Sequence, residues 1–303
     1  MNVEPGIYND IPDAEYHSWE LASKSRLWKL RDRYETFSRA DWLNHLADAG
    51  EPKYDFVFGR FFDDLVSWQG DRERIESVYA SYSGHKTACK GYWKSQESSD
   101  KVLVLEQDYI RAANMLDSIN RHPLASELMH NPGRWQTSIV WDDERTGVRC
   151  KGRIDRVTTW HNPVTHTNRR VHVDVKTTKS AIPAVFNADA KIKGYWAQAA
   201  HYIDGTRTVT GERGARDFAF LVVQKEPIKS GAVHDRHDVR VFHYEMDGQS
   251  PDLDDALRVR DSLLEFYHAI HQPGWVPPKV LHKLSMPFNV ERDHEHQPFR
   301  RTP

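Results

Sequence analysis

The succession of hydrophobic periods along this chain predicts an α/β fold, a mixed β-sheet with helices packed against it. Three observations carry that prediction. From residue 106 onward, the periods read helix, three strands, helix, two strands, helix. The strand Phe218 to Gln224 is apolar at successive positions, so both of its faces must be covered. The chain has 303 residues, enough for one sizeable core with helical additions and too few for two large domains. The expected division is a helical N-terminal part over 1–105 that contributes to the wall of an active site, a core over 106–272, and a C-terminal tail over 273–303. The tail is rich in proline, histidine and charge and is expected to be poorly ordered.

The elements follow in order. Up to Lys53 the chain reads as mainly helical. Ser23 can cap a helix that turns Leu27, Leu30 and Tyr34 inward. Phe56 to Trp68 is a second helix, and Gly70 to Asp100 reads as loops and short helices. Ile110, Ala113, Leu116 and Ile119 mark a helix from Glu106 toward Met129, broken or kinked at Pro123. Gln136 to Trp141 and Val148 to Val157 alternate as strands around a turn over Asp142 to Gly147. A loop from His161 to Asn168 leads to the strand Val171 to Lys176. Ala184 to Ile203 is helical with an interruption near Gly194, Val239 to Met246 alternates, and Asp252 to His271 closes as a helix.

Composition excludes several classes. Two cysteines, Cys89 and Cys150, cannot build a disulfide framework, a four-cysteine zinc site or a four-cysteine iron–sulfur cluster. No run reaches membrane-span length and the first residues have no basic-then-apolar signal, so a cytoplasmic protein without a membrane partner is expected. The 42 basic residues nearly balance 44 acidic ones, so nucleic acid would have to be bound through local patches. No phosphate-cradling glycine loop of the G-x-x-x-x-G-K-[ST] type occurs.

The segment that carries chemistry is Val171-His172-Val173-Asp174-Val175-Lys176. Alternation turns the three valines to the core and His172, Asp174 and Lys176 the other way, with Asp174 and Lys176 roughly 6.5–7 Å apart. A carboxylate beside an ammonium suits metal-assisted hydrolysis. The carboxylate holds a hard cation, and the lysine orients the attacking water or helps deprotonate it. On the preceding strand Arg149, Lys151, Arg153 and Asp155 fall on one face, a row of cations ending at an aspartate. That row reads as a phosphate track leading to a metal ligand. Two carboxylates, a backbone carbonyl and waters fit Mg²⁺, with Mn²⁺ as a substitute. The competing structural reading is a solvated strand face with Asp174 in an ordinary ion pair.

Asp155 followed by Asp174-Val175-Lys176 resembles the signature of the PD-(D/E)XK nucleases, with Ile154 where a proline often stands. A narrower resemblance is to the RecE-like phage exonucleases, the exonuclease VIII group. It rests on Gly6-Ile7-Tyr8, Tyr16-His17, Ser23-Lys24-Ser25, the hairpin from Thr137 through Cys150-Lys151-Gly152-Arg153-Ile154-Asp155, the strand Asp174-Val175-Lys176-Thr177-Thr178, and Gln198 with Tyr202. It runs from residue 6 to about residue 245. The resemblance implies a PD-(D/E)XK core with an N-terminal helical addition, and a metal shell of Asp155, Asp174 and the Val175 carbonyl. It implies Lys176 as catalytic lysine, and Gln198 and Tyr202 beside the nucleotide. It also implies 5′-to-3′ digestion of linear duplex DNA for a single-strand annealing recombinase, a homo-oligomeric ring such as a tetramer, and a bacterial host cell for a phage protein. Two positions depart from the pattern. Asp63 stands where the group has a histidine, and Gln136 where it has a glutamate. Both still offer oxygen to a cation. A structure-specific or single-strand nuclease of the same fold is one alternative, and a catalytically silent DNA-end-binding recombination scaffold, suggested by Asp63 and Gln136, is the other.

Other signals are weaker. Lys24, Arg26, Lys29, Arg31 and Arg33 read first as a solvated helix face and second as phosphate contacts. His234-Asp235-Arg236-His237-Asp238 and His294-Glu295-His296 lack the helical context of a metal site. Trp93, Trp135, Trp141 and Trp196 are expected in the core.

Overall fold

A computed structural model of the chain describes residues 3–31, 37–48, 53–84, 90–162, 166–212, 216–228, 236–246 and 251–276. Its elements are β1 (Gly6–Tyr8), α1 (Asp13–Ser18), β2 (Ala22–Ser23), α2 (Lys24–Lys29), α3 (Arg39–Ala47), α4 (Tyr54–Ser67), α5 (Arg72–Val78), β3 (Tyr79–Tyr82), α6 (Lys90–Glu97) and β4 (Val102–Leu105). They continue with α7 (Glu106–Arg121), α8 (Pro123–His130), β5 (Gly133–Asp142), β6 (Arg149–Asn162), β7 (Thr167–Thr178), α9 (Pro183–Lys193), α10 (Tyr195–Thr210), β8 (Arg216–Gln224), β9 (Val239–Met246) and α11 (Pro251–His271). Tyr34, Arg33, Cys89, His234, Asp235 and the expected tail beyond residue 276, with its His294-Glu295-His296, lie outside the described residues.

The main sheet runs β1-β5-β6-β7-β8-β9, with β2 added beside β6. It is mixed: β7 with β8 and β2 with β6 are parallel, and the remaining pairs are antiparallel. The parallel step from β7 to β8 needs a long crossover, which α9 and α10 supply. Strand β8 shows why both faces are covered. Phe218, Phe220 and Val222 enter one core with residues of α2, α3, α10 and α11. Ala219, Leu221 and Val223 enter the other with α4, α7 and α8. Val171, Val173 and Val175 share that second core.

Local signals place the breaks. Pro123 opens α8 as its first residue, where a missing N–H costs nothing, and the His122 ring accepts from Ala125 N. Gly194 separates α9 from α10 in a left-handed conformation, φ 68°. The strands β6 and β7 extend to Asn162 and from Thr167, so the expected loop is shorter than the sequence suggests.

Two parts of the N-terminal region differ from a purely helical reading. β1 and β2 join the main sheet, pairing with β5 and β6. β3 lies in the segment expected as loops and short helices and forms a separate parallel pair with β4, just beyond that segment. Strands this short carry too few alternations to be read locally; their partners lie 20 or more residues away.

Candidate active site

The site begins where two strands part. β6 and β7 are paired from Asn162↔Thr167 up to Arg156↔Val173, and no Cα pairing follows for Asp155 and Asp174. The Asp155 side chain occupies the gap, accepting a hydrogen bond from Val175 N at 2.9 Å. Beyond the gap, β2 takes the freed side of β6, and β7 goes on with β8 through Lys176↔Val222. The two aspartates of the motif are thus carried by adjoining strands at a fork.

The same point is irregular on β5. Gln136 has a left-handed backbone, φ 49°, and the ladder to β6 passes from Trp135↔Arg156 to Thr137↔Ile154 without a Gln136 pair. Side chains change faces across it. Ile139, Cys150 and Ile154 lie in one core, whereas Trp135 and Trp160 pack into the other. Simple alternation therefore does not run through residue 155. A left-handed glutamine is uncommon, and such backbones cost of order 1–3 kcal/mol and collect at functional sites.

Asp174 is 1% exposed. Its Oδ1 accepts from Gln198 Nε2 on α10, and its Oδ2 pairs with Lys176 Nζ. Lys176 also lies 4.9 Å from the ring centroid of Tyr195. Burial alone would lower the Lys176 pKa, but Asp174 and Asp155 outweigh it and hold the ammonium charged. Burial, then the Asp174 charge, pushes the Asp155 carboxyl up to about 7. Asp63, on α4, is raised well above the carboxylate range by burial and then by Asp155. Three helical and strand segments thus bring three carboxylates against one lysine.

Gathering three carboxylates beside a single lysine, Asp174 buried and Asp63 and Asp155 half-buried, concentrates negative charge that a divalent cation would offset. Asp155, Asp174 and the Val175 carbonyl are the donors that would hold it, with water completing the shell, as Mg²⁺ prefers. Among the described residues, no three His, Cys, Asp or Glu side chains already close around one point. The reason is visible: Lys176 and Gln198 occupy both oxygens of Asp174. The donor set fits a hard cation provided that Lys176 moves off Oδ2.

An open cleft of about 1430 Å³ lies over the fork. Asp155, Asp63, Gln136, Gln198, Tyr202, Lys151 and Arg153 all line it. Tyr202 can lie across β6 because residue 152 is glycine; a Cβ there would stand 2.8 Å from the ring.

The expected cationic row has partners inside the chain. Arg149 is bonded to Asp142 at 2.8 and 3.0 Å and to Val3 O at 3.0 Å, and it does not line the cleft. That corrects its place on a phosphate track. Lys151 donates to Tyr16 O and Trp19 O, each at 2.6 Å. Arg153 bonds Asp13 at 2.5 Å, Ile11 O at 2.9 Å and Ser138 Oγ at 3.1 Å. These cations clamp the N-terminal segment over the sheet, and that clamp builds one cleft wall. Trp141 is fully buried, whereas Trp135 is half-buried in the cleft wall.

Lys24 and Arg60 are cations among the cleft residues that were not picked out for the site from sequence. Lys24 follows β2, donates to Lys193 O at 2.6 Å and is pushed down to about 7 by burial and then by Lys176. Arg60, one turn before Asp63, is tied to Asp13 at 3.0 Å. Lys24 was visible as part of a cationic run; nothing local tied either residue to the aspartates.

Residues 24–262 match the model of the PDDEXK-like domain of unknown function (DUF3799). The chain belongs to that family. Asp63, Asp155, Asp174, Lys176, Gln198 and Tyr202 fall inside the matched PDDEXK-like region, and nucleases of this fold generally depend on divalent metal. A solved structure of a candidate exonuclease from Eubacterium rectale has the same fold, with 16% identity and a TM-score of 0.53 over 94% of this chain and 98% of that one. The crystal structure of SSO0001, at 12% identity and TM-score 0.27 over 71% of this chain and 87% of that one, is too distant to inform the fold. No curated protein matches the chain. Among the described residues, no helix is long and apolar enough to cross a membrane.

Proposed function

We propose that this PDDEXK-like protein is a Mg²⁺-dependent exodeoxyribonuclease of the RecE-like type. In that reading it digests linear duplex DNA 5′ to 3′, leaves a 3′ single strand for an annealing recombinase, and works as a homo-oligomeric ring in the cytoplasm of a bacterial cell. The observation that carries the nuclease reading is the fork at Asp155 and Asp174, with Lys176 beside them under an open cleft.

When bound, the cation would polarise the phosphate and lower the pKa of its water. The chain's own residues do the rest. Asp155 is held by Val175 N and keeps its orientation. Lys176, charged and next to the Tyr195 face, leaves Asp174 and orients the attacking water. Gln198 releases or shares Asp174 and turns toward the nucleotide with Tyr202. Lys151 and Arg153 hold the wall against which the strand lies, and any remaining phosphate contact is theirs rather than that of Arg149. Asp63 would offer the cation a further carboxylate oxygen, and Gln136 a neutral and weaker carbonyl oxygen.

A catalytically silent DNA-end-binding scaffold is the second reading. It is favoured by the neutral Gln136 and by the closed Lys176–Asp174–Gln198 set. End-labelled linear duplex incubated with and without Mg²⁺ separates the two. Metal-dependent shortening from the 5′ end, lost in Asp174→Ala with binding retained, supports the exonuclease. Binding without cleavage supports the scaffold.

A further inference from the structure

The aromatic residues of α4 are divided in an informative way. Phe58, Phe61 and Phe62 are buried at 3%, 0% and 0% in the core. Phe56, in the first turn, is 68% exposed and faces the cleft with Asp55, Gly59 and Arg60. A single exposed phenylalanine needs no special explanation on an ordinary surface. This one stands on the wall that also carries Asp63. Residues 56, 59, 60 and 63 share a helix face, since three- and four-residue steps fall in line. Phe56 lies seven residues from Asp63, or about 10 Å along the axis. That span is about three stacked nucleotides at ~3.4 Å each.

The positions between leave room for a strand. A Cβ on Gly59 would meet nothing within 4 Å, so the wall is hollow there. The Asp55 carboxylate sits 3.9 Å from Lys225, which partly offsets its charge beside the ring. Arg60, 53% exposed, stands one turn deeper. An aromatic face, a side-chain-free step, a cation and then a carboxylate follow one another along this cleft-lining helix face.

We infer that Phe56 is a base-stacking residue that grips the unpaired strand near the cleft mouth, about three nucleotides from the scissile phosphate, and so selects ends with a single-stranded stretch. The inference rests on the nuclease reading above and deepens it. Stacking suits this task because every base has an apolar face, so the contact holds any sequence.

The test uses the full chain in EDTA, to measure binding without cleavage, on blunt duplex and on duplex with a short single-stranded tail. Phe56→Ala should weaken binding to the tailed duplex about tenfold, as loss of one stacking contact does. It should leave blunt-duplex binding and the urea midpoint unchanged, because the ring is exposed. Phe56→Tyr should stay within about twofold of wild type. A tail carrying abasic sites should erase the difference between wild type and Phe56→Ala. Equal binding of wild type and Phe56→Ala to the tailed duplex overturns the inference, as does a loss that persists on the abasic tail. If wild type digests DNA with Mg²⁺ and Phe56→Ala binds normally, only the stacking role fails. If wild type neither binds nor cuts DNA, the nuclease reading fails and takes this role with it.

Discussion

Asp155→Asn should raise the stability of the metal-free protein while removing its proposed activity. In the folded chain the Asp155 carboxyl sits at about 7 rather than 3.8, chiefly because it is buried and then because Asp174 is near. The sign follows from proton linkage. The folded state holds this proton more tightly than the unfolded chain, so stability falls as pH rises from about 4 to about 7, and the full cost is present above 7. Three pKa units at about 1.4 kcal/mol each set a ceiling of about 4 kcal/mol. Asp155 is partly open to the cleft, where solvent screens its charge, so about 1–3 kcal/mol is expected. Asparagine keeps an oxygen for Val175 N and carries no charge. Urea unfolding in EDTA at pH 8 should therefore show the variant more stable by that amount, and at pH 4.5 the gap should shrink to under about 1 kcal/mol. Millimolar Mg²⁺ should stabilise the parent at pH 8 and leave the variant nearly unmoved. A gap that does not change with pH, or a variant less stable than the parent at pH 8, would refute the reasoning.

Three further predictions use other contacts. Lys176→Met strips the counter-charge from Asp174 Oδ2 at 1% exposure, and should cost about 3 kcal/mol in urea unfolding at pH 8 and at least about 100-fold in nuclease rate. Lys151→Met leaves Tyr16 O and Trp19 O without their donor; about 2–4 kcal/mol of stability should be lost, and limited proteolysis should cut the first 20 residues faster than in the parent. Asp63→Ala should slow Mg²⁺-dependent cleavage about tenfold or more and Asp63→His should restore it; unchanged kinetics in Asp63→Ala would place residue 63 outside the metal shell.

Much of this architecture is written locally. A strand apolar at every position has to be sandwiched, and Phe218–Val223 divides its side chains between two cores as that rule demands. Pro123 and Gly194 end helices through backbone constraints that act within a few residues. The order Asp155, Asp174, Lys176 could likewise be picked out in the chain, through its resemblance to the PD-(D/E)XK signature and not through alternation, which breaks at residue 155.

What tertiary structure decided is where those strands stop pairing. Alternation assumes an unbroken ladder, whereas β6 leaves β7 at Asp155 and Gln136 turns left-handed opposite it, so faces exchange at the site itself. The cationic row illustrates the same limit. Arg149, Lys151 and Arg153 look like a track for phosphate until Asp142, Asp13 and the carbonyls of Ile11, Tyr16 and Trp19 come to meet them. Most of those partners lie well over 100 residues away in the chain. Periodicity reports which side of its own element a residue faces; which group waits on that side depends on segments brought together only by folding.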